Sequence, residues 1–245
     1  MDISRLAAEY ARDGVIRVPG LFSAEKLEEL RAALQHYSET VFPTLPPEDV
    51  VLEQDGKSVR NFWRMEKHDR YFETLTRVPG VLALVGALVH GDPVAMAVES
   101  FNKPARVGSA VPQHQDNAYF CYSPPDALTV WIAVDEVTEE NGPIHYVRGS
   151  HKGGLQPHAP SRVAGNSMGL AAPVACTDPY VGLLAPGDAL IHHSETIHYS
   201  APNRSGRSRL GLLIVYRGAH CVKDPALLNA YKLASLNNAA NPDKD

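Results

Sequence analysis

Residues 127–137 read ALTVWIAVDEV. Leu128, Val130, Ile132 and Val134 share one parity; Thr129, Trp131 and Ala133 share the other. Alternate side chains of an extended chain point to opposite faces. The stretch is therefore expected to be a strand with an aliphatic face and a second face of different character. Working outward, VAMAVESFN (94–102) reads as another strand. GPIHYV follows the turn ENG, and DALIHH, IHYSA and SRLGLLIVYRG complete a set of short strands punctuated by Gly and Pro. The first third of the chain reads differently. A helix is expected over 3–12, stopped by Gly14, and VIRVP (15–19) reads as a strand. Ser23 can cap a helix with Glu25 in its first turn and Leu27, Leu30 and Leu34 at helical spacing. Pro43, Pro46 and Pro47 end that region. Pro79 can open a further helix that Gly91 closes. A late helix (226–236) and a polar tail finish the chain. Helices followed by many short strands imply a helix-supported antiparallel barrel or sandwich, of which the jelly roll is the natural member.

The bulk numbers agree with that class and exclude others. A chain of 245 residues, 44% hydrophobic and 21% charged, can bury a sizeable core. Its net charge of −5 gives no footprint for nucleic acid or an anionic membrane. The longest apolar candidate, VLALVGALVH, is too short to span a bilayer and is broken by Gly86. The N-terminus lacks a basic region followed by an apolar one, so no secretory signal is expected. Cys121, Cys176 and Cys221 are odd in number and far apart, and read as reduced thiols of a cytoplasmic protein. One domain over 1–245 is expected: helical support 1–92, jelly-roll core 93–218, and a C-terminal helix and tail 219–245. The oligomeric state is left open.

PQHQDNAYF (112–120) raises a chemical question. On a strand, His114 and Asp116 would lie side by side on one face. An isolated HxD is as well read as a polar strand end. GDALIHHSETIHYSAPNRSGRSRLGL (187–212) offers three candidates for a third ligand: His192, His193 and His198. Two histidines and one carboxylate leave coordination positions open, the donor set of non-haem Fe(II) oxygenases, whereas a structural zinc site would want four ligands. If the chelating co-substrate is 2-oxoglutarate, its far carboxylate needs a cation, and arginine suits it through two parallel hydrogen bonds. Arg204 and Arg207 lie in the turn NRSGR. Arg209 opens the apolar run LGLLIVY and would be held rigidly, so it is the choice.

In combination, HQD, TVWIAVDEVTEENGPIHYVRGSHKGG and PGDALIHHSETIHYSAPNRSGRSR closely resemble the phytanoyl-CoA dioxygenase family of Fe(II)/2-oxoglutarate oxygenases. YARDGVIRVPGLFSAEKLEELRAAL and FNKP resemble that family's opening and the strand before its metal motif, so the likeness runs from about Tyr10 to about Tyr216. The resemblance implies a mainly β fold with flanking helices, a double-stranded β-helix of the jelly-roll, cupin-like kind. It implies iron ligands His114, Asp116 and His198, a 2-oxoglutarate anchor at Arg209 supported by Ser200, and a co-substrate pocket lined by Trp131 with Thr129 on the same face. It further implies O2 as co-substrate, release of succinate and CO2, and hydroxylation or a related oxidation rather than halogenation, because Asp116 fills the position a halide would need.

The turn NGPIHYVRGSH departs from the family at Arg148. It is read as structural, with Ser150 and His151 bonding locally. His145 is read as a half-buried strand residue. His192 and His193 point to opposite faces, so one at most views the site; packing is the plainer role for both, with His193 the candidate for touching substrate. Arg60, Trp63 and Arg64 in RNFWRMEKHD, with Asn117, Tyr119 and Tyr122, are the remaining substrate candidates. They favour a small polar or anionic metabolite, such as an organophosphonate, an amino-acid derivative or a natural-product intermediate, over a CoA thioester. Two other functions use the same fold: a cupin-type metal hydrolase or isomerase, which has no need of Arg209, and a non-catalytic jelly-roll binding module.

Overall fold

The computed structural model describes residues 1–163 and 165–240. Helix Ile3–Asp13 starts where the Asp2 side chain accepts from the Arg5 amide, and ends at Gly14 in the left-handed conformation (φ 73°). Strand Val15–Val18 follows directly. Ser23 caps Ala24–His36 by accepting from the Lys26 amide, and Leu27, Leu30 and Leu34 form its buried face. Pro79 opens Pro79–Leu88 as expected. That helix stops before Gly91, with His90 at positive φ in the turn that follows. The late helix is longer than its sequence pattern, running Pro225–Ala240.

Two sheets carry the fold. The larger has seven strands in the order Val15–Val18, Ala189–His193, Ala127–Ala133, Arg209–Gly218, Pro93–Lys103, Val59–Phe62 and Val50–Leu52. The smaller has four: Tyr180–Val181, Ile144–Tyr146, His198–Ser200 and Val111–His114. The strand pairs are antiparallel throughout both sheets. This is the expected jelly roll with flanking helices. The two sheets do not close into a complete barrel.

The alternation in residues 127–137 decides what lies on each side of the large sheet. Leu128, Val130, Ile132 and Val134 are buried with Leu30, Leu34, Phe72, Leu84 and Leu88 of the helical layer. Each such side chain contributes roughly 1.5–3 kcal/mol by leaving water. Trp131 and Ala133 face the other way, into a second cluster with Tyr146 and Leu190. Thr129 shares that inner face, on which the polar chemistry of the molecule gathers.

The turn after Ala133 is structural. Asn141 donates to the Glu136 carbonyl and accepts from the Thr138 amide. Gly142 sits at φ 79°, where an added Cβ would come within 2.5 Å of the Ala201 carbonyl oxygen. Ser150 and His151 bond locally through their backbones, where the Ser150 N–H donates to the Val147 carbonyl and the His151 carbonyl accepts from the Gly154 N–H, while their side chains reach further. Ser150 Oγ accepts from the Ile197 amide, and His151 Nε2 donates to the Ala11 carbonyl. The turn thus ties the first helix to the segment that leads into His198. Arg148 faces solvent and reaches Asp178 at 3.2 Å. His145 is half-buried, stacked on Tyr199.

Candidate active site

A cavity of about 530 Å³ lies between the sheets. The large sheet supplies its inner face through Thr129, Trp131, His192, Arg209 and Leu213; the small sheet supplies His114, His198 and Ser200. His198 and His114 are direct partners across two paired strands. Their ring centres lie 4.1 Å apart. Asp116 joins them by a route the spacing argument did not foresee. The strand ends at His114, and Asp116 has helical torsions (φ −60°, ψ −30°) at the start of the one-turn helix Asn117–Phe120. Asp116 is therefore brought beside His114 by a strand end turning into a helix, not by strand alternation.

The hydrogen bonds orient these three side chains. His114 donates from Nδ1 to the Pro112 carbonyl, and His198 donates from Nδ1 to the Thr196 carbonyl. Each Nε2 is left as a lone pair, and each lies 3.6 Å from Asp116 Oδ1, beyond hydrogen-bonding reach. The three ligand atoms lie within 4.8 Å of one another. The other oxygen of Asp116 is fully engaged. Thr129 Oγ1 donates to Oδ2 at 2.8 Å and His192 Nε2 donates to it at 3.0 Å. The Tyr146 hydroxyl in turn contacts His192 Nδ1 at 3.1 Å. Burial opposes ionisation of Asp116, but the facing imidazoles of His198, His114 and His192 outweigh it and hold the carboxyl well below its usual range. Burial, with His114 adding to it, pushes His198 well below the usual imidazole value. Two imidazole nitrogens and one carboxylate oxygen aimed at a common point suit a divalent first-row transition metal, and the hydrogen-bonded far sides of the ligands are what such sites require.

Arg209 provides the second half of the site. It is 1% exposed, and its Nε and Nη1 have no hydrogen-bond partner. Its guanidinium lies over the Trp131 ring at 5.1 Å. Gly211 makes that stacking possible, since a Cβ there would come within 2.1 Å of the indole. Burial, reinforced by Arg60, lowers Arg209 to about 9. A buried, unpaired guanidinium facing a cavity is an anion site in search of its anion. Ser200, also buried, lines the same cavity.

The substrate candidates divide. Trp63, Arg64 and Tyr119 line the cavity. Arg64 stands 41% exposed and paired with buried Asp49. Tyr119 packs edge-on against His114 and accepts at its hydroxyl from Asn166 Nδ2. Arg60, Asn117, Tyr122 and His193 lie outside the cavity lining. Arg60 is in the core, ion-paired with Glu53 and lying over Phe101. Asn117 closes its own loop, bonding the Tyr122 carbonyl and amide. Tyr122 has Arg217 and Lys223 over its ring. His193 packs between Tyr10 and His151, so His192 is the histidine of the pair that views the site. Strand register decided this, because His192 pairs with Thr129 and so shares its inner face. Glu99 and Phe101 on Pro93–Lys103, Asn166 on a separate hairpin, and Tyr231 and Ser235 on the last helix also line the cavity, and none of them was expected there from the sequence. Parity with Phe101 pointed to Glu99, but nothing in the sequence placed the last helix at the opening.

Comparison with known proteins agrees with this geometry. The sequence profile of the phytanoyl-CoA dioxygenase (PhyH) family matches residues 10–211. An L-proline trans-4-hydroxylase of Streptomyces griseoviridis is 28% identical over 252 residues, covering 90% of each chain. The epimerase SnoN, solved with Fe3+, alpha-ketoglutarate and nogalamycin RO, superposes with a TM-score of 0.73 at 22% identity, covering 94% of this chain and 88% of SnoN. EvdO2 from Micromonospora carbonacea var. aurantiaca superposes with a TM-score of 0.72 at 25% identity, covering 90% and 92%. The chain belongs to the phytanoyl-CoA dioxygenase family.

Proposed function

We propose that this member of the phytanoyl-CoA dioxygenase family is an Fe(II)- and 2-oxoglutarate-dependent oxygenase that hydroxylates a small polar metabolite. The observation that carries this reading is the pairing of two features in one cavity: the His114, Asp116 and His198 cluster, and the buried guanidinium of Arg209 with unpartnered nitrogens. A hydrolase or isomerase would use the first and have no need of the second. His114, Asp116 and His198 would hold the iron, and their number leaves positions for co-substrate and oxygen. When bound, the iron supplies the redox chemistry that couples loss of CO2 from 2-oxoglutarate, giving succinate, to oxidation of the substrate.

The protein's own residues position and shield. Thr129 and His192 fix Asp116 through Oδ2 and leave Oδ1 facing the two imidazoles. Trp131 holds the Arg209 fork flat, so that it receives the far carboxylate of 2-oxoglutarate through two parallel bonds, with Ser200 beside it. The depth of Arg209, Thr129 and Trp131 keeps water from that end of the cavity. The cavity has the size of an ordinary small-ligand pocket, which suits 2-oxoglutarate beside a compact metabolite. The relative named for L-proline hydroxylation has a substrate of that size class. Amino-acid derivatives, phosphonates and natural-product intermediates are the classes to screen.

The test is anaerobic addition of Fe(II) and 2-oxoglutarate, followed by a succinate-release screen in air. A weak visible charge-transfer band that needs both additions is expected, with succinate above background for at least one compound class. Absence of the band in folded, iron-loaded protein would end the oxygenase reading.

A further inference from the structure

Glu99 is a cavity carboxylate that the oxygenase chemistry does not use. It lies on Pro93–Lys103, where register sets it opposite Leu213, which in turn faces Trp131 on the next strand. It therefore shares the inner face with Phe101, two residues on, and with the residues around Arg209. Glu99 lines the cavity and is partly buried. The other cavity acids are accounted for. Asp116 is engaged by its imidazoles and Thr129, and Glu48 stands exposed at the opening. Glu66, on the far side of the strand, accepts from the Val98 amide. Among the described residues no side chain or amide donates a hydrogen bond to Glu99. A carboxylate set among Phe101, Leu213 and Val215 without a donor is costly. It is made good by a ligand that brings a cation on an apolar body.

We propose that the substrate carries a protonated amine and that Glu99 is the carboxylate that receives it. The inference rests on the oxygenase reading and narrows its substrate class. The two charges of the cavity then have separate tasks. Arg209 takes the anionic co-substrate at the deep end, and Glu99, on the strand one step beyond Arg209–Gly218, turns the substrate so that its nitrogen lies away from that anion. Burial, with like charge from Asp116 and Glu66, raises Glu99 to about 8. A cationic partner offsets that burial cost and favours the ionised carboxylate. A neutral or anionic substrate would gain nothing from a carboxylate at this position, and an anionic one would be repelled.

The experiment uses the full chain loaded anaerobically with Fe(II) and 2-oxoglutarate. The probes are L-proline, L-lysine and ethanolamine, each set against its N-acetyl counterpart, together with nitrogen-free hydroxy acids. At least one amine is expected to perturb the visible band and stimulate succinate release in air, while its N-acetyl form does neither. Glu99→Gln should keep the band formed by 2-oxoglutarate alone, yet lose apparent affinity for that amine by roughly tenfold to a hundredfold. Glu99→Asp should recover part of the loss, which a purely structural role would not predict. Three results overturn the proposal: turnover confined to compounds without a cationic nitrogen, an amine response unchanged in Glu99→Gln, or no response to any amine in protein that forms the band. Failure of the wild-type band itself is a different result, and removes the oxygenase reading on which the proposal stands.

Discussion

At the deep end of the cavity Asp116 is held through Oδ2 by Thr129 and His192, His114 and His198 are each pinned through Nδ1, and Arg209 lies flat on Trp131. At the opening, Trp63, Arg64, Tyr231 and Ser235 come from a loop and the last helix, and Arg64 is substantially exposed. His114, His198, Trp131 and Arg209 of the first region stand on paired strands whose register leaves each side chain one direction to point, and Asp116 follows on the helical turn at one strand's end. The second is built on elements that could shift or lengthen without disturbing the sheets. The difference separates the reaction, which needs fixed ligand positions, from the choice of substrate, to which a variable rim contributes.

The largest expected effect bears on the deep end. His114→Ala, Asp116→Ala and His198→Ala should each abolish 2-oxoglutarate-dependent succinate formation while far-ultraviolet circular dichroism stays native; full turnover in any of the three would break the contrast. Arg209→Met comes next. Leaving the far carboxylate of the co-substrate buried without its partner should weaken 2-oxoglutarate binding by about a hundredfold to a thousandfold, with iron affinity nearly unchanged, as measured by separate titrations. His192→Phe removes one hydrogen bond to Asp116 and should lower iron affinity by about tenfold to a hundredfold, read by competition with a chelator. Equal iron affinity would show that Thr129 alone suffices to aim the carboxylate. The smallest effect belongs to the opening. Tyr231→Phe should change the KM for 2-oxoglutarate by less than about twofold, in line with substitutions away from buried networks, and act on substrate KM alone. A large loss of iron or 2-oxoglutarate binding there would erase the distinction between the two regions.

Legibility from sequence follows the same division. The two faces of residues 127–133 and the Ser23 and Pro79 helix starts were open to reading because short-range periodicity and caps encode them, whereas the choice of His198 to complete the cluster with His114 and Asp116 came from the family resemblance. Arg209 was readable as the arginine that opens an apolar strand, and the structure finds it buried. Arg60 and Asn117 misled for a shared reason. A polar residue near a motif resembles a ligand contact, yet Glu53 neutralises the first and the Tyr122 backbone occupies the second. His192 and His193 could not be told apart, since alternation says that they differ and only pairing says which is inside.

The amino-acid sequence by itself determined the jelly-roll class, the two unlike faces of residues 127–133, and the types of side chain available to hold a metal and a dicarboxylate. The tertiary structure alone decided that Asp116 reaches its partners through a helical turn, that His192 rather than His193 supports it, and that Glu99 and the last helix border the same space. The physical reason is range. Periodicity and caps act over a few residues, whereas register, burial and the convergence of distant side chains depend on which strands meet.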